Sequence, residues 1–99
     1  MKNSSKDVCI VGGGMGSLSA AIYLNKKGFN VSIYEKNSTL GGRANIIEEN
    51  GFKFDVGPSL LNYPWIFENL FKEAGEKMSD HIDLIEINSG VKFLSLIHI

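Results

Sequence analysis

The residues of this chain best suited to chemistry are a run of backbone groups and one carboxylate. Gly12-Gly13-Gly14-Met15-Gly16-Ser17 follows a short apolar run and opens a helical pattern, the context in which a glycine turn becomes a candidate dinucleotide site. Gly12 permits a tight turn out of a strand. Gly14 lacks a Cβ, so its backbone can approach a pyrophosphate at the positive N-terminal end of the helix. Ser17 stands where Gly or Ala would complete the usual pattern; it is small enough for close helix–strand packing but departs from the literal motif. Glu35 lies 23 positions after Gly12, at the end of the next strand pattern, where a carboxylate accepts hydrogen bonds from adenosine ribose hydroxyls. A negative charge there disfavours a 2'-phosphate, so FAD or NAD is expected in preference to NADP. A glycine turn alone also serves simply to join two core elements. The pairing with Glu35 is what points to a nucleotide.

The elements that must position these groups can be read from the apolar spacing. Val8-Cys9-Ile10-Val11 has no polar alternation, as in a strand buried on both faces of a parallel sheet, and Cys9 is expected to be a buried small hydrophobe. From Met15 to Lys27, Leu18, Ala21, Ile22 and Leu24 recur at helical spacing, and Gly28 stands where a left-handed cap would be. Asn30 to Glu35 resumes a strand pattern. Strand, glycine turn, helix and strand make a βαβ unit with parallel strands, so the fold class is α/β, an incomplete Rossmann-type FAD/NAD(P)-binding fold.

Downstream, residues 36–42 read as a loop, and Asn50-Gly51 between Ala44–Glu49 and Phe52–Phe54 reads as a hairpin turn. Pro64 suits the first turn of a second helix, with Asn62 near its cap and Trp65, Ile66, Leu70, Phe71 and Ala74 as a core-facing stripe before Gly75. His81 to Asn88 alternates in part and is expected to form another strand. His81 itself, a lone histidine at a strand start, is expected to be structural.

Composition excludes several function classes. Ten Lys+Arg against eleven Asp+Glu, with no long run of either sign, leave no basic footprint for nucleic acid. One cysteine cannot form an internal disulfide. The apolar run Val8–Val11 is too short for a signal peptide's apolar region or a membrane span. A cytoplasmic chain is expected, with peripheral membrane contact possible in a longer protein.

Val31-Ser32-Ile33-Tyr34-Glu35-Lys36, followed by Leu40-Gly41-Gly42-Arg43, resembles the flavoprotein oxidoreductases of amine oxidase and phytoene desaturase architecture. Their second strand ends in Glu-Lys, and a Gly-Gly-Arg turn follows. The resemblance implies FAD as cofactor, with Gly42 and Arg43 beside its pyrophosphate and Lys36 accompanying Glu35. Glycines that bring amides close to an anion and an arginine donor fork suit that role. Phe52-Lys53-Phe54-Asp55-Val56-Gly57-Pro58-Ser59, then Pro64 and Leu70-Phe71, is similar to the carotenoid branch, the phytoene and diapophytoene desaturases. In that branch the residues after Gly-Pro run close to the flavin ring, which makes Ser59 and Leu60 candidates. A turn stiffened by Gly-Pro and packed on the sheet is the competing reading of the same residues.

What this resemblance implies is an enzyme that dehydrogenates an apolar isoprenoid by hydride transfer to flavin. No catalytic residue and no metal ligand is nominated. The cofactor-binding set is Gly12, Gly13, Gly14, Met15, Gly16, Ser17, Glu35, Lys36, Gly42, Arg43, Ser59 and Leu60. Competing readings are an amine oxidase, a protoporphyrinogen oxidase or a carotenoid isomerase, a non-catalytic binder like the Rab GDP-dissociation inhibitors, and a plain NAD-binding module. Leu94-Ser95-Leu96-Ile97-His98-Ile99 resembles the translation of a transposase adapter used in sequencing libraries. Residues 1–93 are therefore expected to be the N-terminal part of an FAD-binding domain, without a substrate domain and inactive alone.

Overall fold

A computed structural model describes residues 6–89 and residue 94, so the adapter-like stretch lies, apart from Leu94, outside the described residues. The element order is β1 (Asp7–Val11), α1 (Met15–Lys26), β2 (Asn30–Tyr34), β3 (Ile46–Glu49), β4 (Phe52–Asp55) and α2 (Pro64–Glu73), followed by a 3-10 turn at Met78–Asp80.

β1 and β2 pair in parallel from Asp7↔Asn30 to Val11↔Tyr34, with α1 as the crossover. Both strands alternate between half-buried and exposed residues. Val8, Ile10, Val31 and Ile33 are the half-buried set, whereas Cys9 and Val11 are exposed. The expectation of a strand buried on both faces, with Cys9 inside, is therefore not met among the described residues. A parallel strand is buried twice only when helices lie on both faces of its sheet, and the Cys9–Val11 face has no such cover among the described residues. Val11 is 85% and Tyr34 63% exposed, so the apolar end of that face is uncovered among the described residues, while its other end carries Asp7, Asn30 and Ser32.

Gly28, at φ 92°, ends α1. Phe29 N–H donates to Leu24 O at 3.1 Å and Gly28 N–H to Asn25 O at 3.0 Å, the paired bonds of a Schellman cap. Gly75, at φ 78°, ends α2 in the same way, with Glu76 N–H on Phe71 O and Gly75 N–H on Lys72 O. Pro64 stands at the start of α2, as its fixed φ favours, but the cap residue is Tyr63 and not Asn62.

α2 lies against α1, joined at the surface by Lys26 Nζ and Glu73 Oε2 at 2.6 Å. Its expected core stripe is met only in part. Leu70 and Phe71 are half-buried, while Trp65 and Ile66 are each more than half exposed and Ala74 is exposed. Among the described residues Met78 is the one buried apolar side chain.

β3 and β4 form the antiparallel hairpin that Asn50-Gly51 foretells, with Asn50 at φ 51° and Gly51 at φ 82°. Positive φ at both central residues is the signature of a two-residue hairpin turn. Ile47 opposes Phe54 on one face, and on the other Glu48 opposes Lys53, whose Nζ lies 3.2 Å from Glu48 Oε1. Residues 81–88 do not form the expected strand. A strand needs a neighbour to take its N–H and C=O groups, and nothing among the described residues pairs with this segment. No helix among the described residues is long and apolar enough to cross a membrane.

Candidate dinucleotide site

Two glycine turns meet at the carboxyl end of β1. The first leaves β1 at Gly12, whose φ of 94° is open to glycine and strained for other residues. Gly12 N–H donates to Tyr34 O at 2.7 Å, so the turn is tied to β2 as it leaves the sheet. Gly14 is the N-cap of α1 and accepts from Leu18 N–H at 2.9 Å. No side chain caps this helix start, and no acidic residue stands in its first turn. The unpaired amides and the positive end of the helix thus have no anionic partner from the helix itself.

A Cβ added at Gly12, Gly14 or Gly16 would meet nothing within 4 Å. One added at Gly13 would run into Leu40 Cδ2 and lie 3.3 Å from Glu35 Oε2. The glycines of the turn thus divide into those facing open space, where a pyrophosphate could lie against backbone, and one facing the protein.

Glu35 closes the arrangement. Its Oε2 accepts from Gly13 N–H at 2.7 Å and its Oε1 from Asn37 N–H at 2.9 Å. These donors, Asn37 first and Gly13 second, hold its carboxyl below the ordinary carboxylate range; partial desolvation opposes them, and the Lys36 amide and charge assist. Each carboxylate oxygen still has a lone pair for a ribose hydroxyl. Because the folded-state pKa is depressed, the stabilisation from ionised Glu35 is complete above the unfolded carboxylate value of about 4.3 and is lost as pH falls through the lower folded value. Nucleotide release on acidification is expected only as pH falls through the lowered folded value, where Glu35 takes up its proton, and Glu35→Gln is expected to abolish the step in a pH titration of bound nucleotide.

The second turn, at Gly41-Gly42, comes against the first. Gly41 N–H donates to Gly13 O at 2.8 Å, and Gly14 and Gly41 form an isolated parallel bridge. A Cβ on Gly42 would stand 3.1 Å from Gly14 Cα. Arg43 follows in the same turn, exposed and with no ion-pair partner among the described residues. Met15, Gly16 and Ser17 form the first turn of α1, and Lys36 is exposed beside Glu35.

Ser59 and Leu60 are exposed beyond Gly57, and Ser59 lines a shallow cleft with Ala44, Asn45 and Asp55. No hydrogen bond or ion pair among the described residues joins Ser59 or Leu60 to the glycine turns. The sequence reading missed Gly41 and Leu40 as site residues, although the Gly41-Gly42 doublet was a visible signal for the first. His81 stacks on Phe71 with ring centres 5.4 Å apart and lies 3.2 Å from Glu76, a structural placement. No cluster of metal-ligating side chains occurs among the described residues.

A family model described as an NAD(P)-binding Rossmann-like domain matches residues 10–74. The chain belongs to that family. Among individual proteins, it is 49% identical over 81 residues to a 4,4'-diaponeurosporene oxygenase of Staphylococcus haemolyticus, covering 82% of this chain and 16% of that protein. A protein of the same name from Staphylococcus aureus strain USA300 is 45% identical over 80 residues, covering 81% and 16%. The chain therefore spans about a sixth of the length of these relatives. Among solved structures, a CLA-producing fatty acid isomerase from P. acnes superposes with a TM-score of 0.54 at 25% identity, covering 78% of this chain and 18% of that one. The Rossmann-type βαβ reading and the resemblance to carotenoid-branch proteins are both borne out.

Proposed function

We propose that this chain supplies the adenine-nucleotide end of the FAD site in an oxidoreductase that acts on an apolar isoprenoid of carotenoid type. The observation that carries the proposal is the meeting of the Gly12–Gly14 turn, Glu35 and the Gly41–Gly42 turn at one strand end. A plain NAD-binding unit does not need the second turn. The residues fit an ADP-bearing group: open backbone at Gly14 and Gly16 for a pyrophosphate, the start of α1 for its charge, Glu35 for the ribose, and Arg43 as an exposed donor fork. Lys36, Ser59 and Leu60 belong to the proposed site through family resemblance alone.

When bound, the flavin would supply the two-electron acceptor for a hydride leaving an allylic carbon of the substrate; loss of a neighbouring proton would then give a desaturated product, and addition of water with loss of its proton an oxygenated one. This chain's own residues bind and orient the nucleotide; none of them is assigned a proton or hydride step. The names of the relatives favour insertion of oxygen into a polyene over desaturation. That the structural neighbour is named for a fatty acid isomerase fits a long apolar chain as the general substrate class. A cytoplasmic protein touching the membrane surface where such substrates partition belongs to the same proposal.

The full-length polypeptide, purified, is expected to carry flavin absorbance and to convert a carotenoid-type polyene to a product heavier by oxygen. A product lighter by two hydrogens would assign it to the desaturases. A colourless protein that binds NAD would overturn FAD, and one that binds prenylated protein without flavin would restore the non-catalytic reading.

A further inference from the structure

Gly13 stands within the first turn between Gly12, which bends the chain, and Gly14, which faces open space. Both of its backbone polar groups are engaged from within the chain: its N–H by Glu35 Oε2 at 2.7 Å and its C=O by Gly41 N–H at 2.8 Å. Gly13 is buried, and the space before its Cα is filled by a methyl group of Leu40, so that an added Cβ would overlap Leu40 Cδ2. The neighbouring glycines show the opposite pattern, with nothing within 4 Å of a Cβ at Gly12, Gly14 or Gly16. Close approach of a ligand therefore accounts for glycine at position 14 and does not account for it at position 13.

We propose that Leu40 is a positioning residue of the nucleotide site: position 13 lacks a side chain to make room for Leu40, and Leu40 holds the turn in place from the side away from the ligand. This rests on the reading of the turn as a dinucleotide site. Leu40 acts through Gly13. Packed over Gly13, and next in sequence to the Gly41 that bonds Gly13 O, it keeps the Gly13 amide aimed at Glu35. Fixing the turn before the ligand arrives reduces the ordering cost of binding. Leu40 is itself about half exposed, so its truncation leaves no deep cavity, and its effect should register at the turn more than in the general fold.

The test is a second-site rescue in the full-length polypeptide, with Gly13→Ala, Leu40→Ala and the double variant. FAD affinity of the deflavinated protein and the thermal midpoint of the apoprotein are both measured. Gly13→Ala is expected to weaken FAD binding about three- to tenfold, the lower part of the range for residues in contact, because the overlap is with the flexible end of a half-exposed side chain. In the Leu40→Ala background the same substitution is expected to cost no more than about twofold. The remaining 3.3 Å approach to Glu35 Oε2 needs only a small shift of that carboxylate. The apoprotein midpoint should fall in Gly13→Ala and recover in the double variant.

Additive losses in both readouts would overturn the proposal and return Gly13 to direct ligand contact. If Gly13→Ala alone is insoluble, a soluble double variant is the expected rescue and an insoluble one overturns it. Wild-type protein that binds no adenine dinucleotide would defeat the functional reading instead, and the apoprotein midpoints would still report whether positions 13 and 40 couple.

Discussion

Gly41→Ala is expected to destabilise the full-length protein by about 2–6 kcal/mol, the sum of backbone strain and overpacking. Gly41 has φ 115°, a region costly for any residue with a side chain, and a Cβ there would fall on the carbonyl oxygen of Ala44. The residue cannot retreat, because its N–H is bonded to Gly13 O and it bridges Gly14. Two other glycines separate the causes. Gly51, at φ 82° with nothing near a built Cβ, should show strain alone on substitution by alanine, about 1 kcal/mol. Gly57 has no positive φ, but its Cβ would lie 2.7 Å from Ala44 Cα and press on Arg43 O, so its alanine variant should show overlap alone, about 1–3 kcal/mol. Denaturant unfolding of the three variants should rank Gly41 worst and Gly51 mildest. A Gly41 variant as mild as Gly51 would mean that the two turns do not meet as described.

Glu35→Ala should have the largest effect on ligand binding. It removes the acceptor proposed for the ribose and, in the same step, the acceptor of the Gly13 and Asn37 amides. FAD affinity is expected to fall about ten- to hundredfold, the range for losing hydrogen bonds to an ionised group. Glu35→Gln keeps one acceptor oxygen but turns an NH2 group towards one of two backbone donors, so it should fall between wild type and alanine. Equilibrium titration of the deflavinated full-length protein would measure both. Unchanged affinity in Glu35→Ala would show that the carboxylate serves only to tie the turn to β2.

Much of this was legible without coordinates, because the signals are local. The βαβ unit follows from an apolar run, a glycine turn, helical spacing and a second run. The hairpin follows from Asn50-Gly51, and the helix ends from Gly28 and Gly75. Each reflects a backbone conformation that few residue types adopt, so residue identity alone announces it. The pairing of Gly12 with Glu35 was readable for a related reason: one crossover helix sets the separation between them.

The misreadings concern burial and pairing, which no stretch of sequence decides by itself. Val8 to Val11 has the composition of a strand covered on both faces, yet Cys9 and Val11 are exposed because cover must come from another element. Trp65 and Ile66 sit on an apolar stripe, yet each is more than half exposed. Residues 81–88 have strand-like alternation but no strand to pair with among the described residues.

The sequence by itself determined the order of elements, their turns and the chemical kind of the site, since these depend on backbone sterics within a few residues. Only the tertiary structure decided which glycine faces ligand space and which faces Leu40, and that Glu35 reaches back to the Gly13 amide. Those relations join residues 22 and 27 positions apart in sequence, and distance in space is set by how strand, helix and turn pack together.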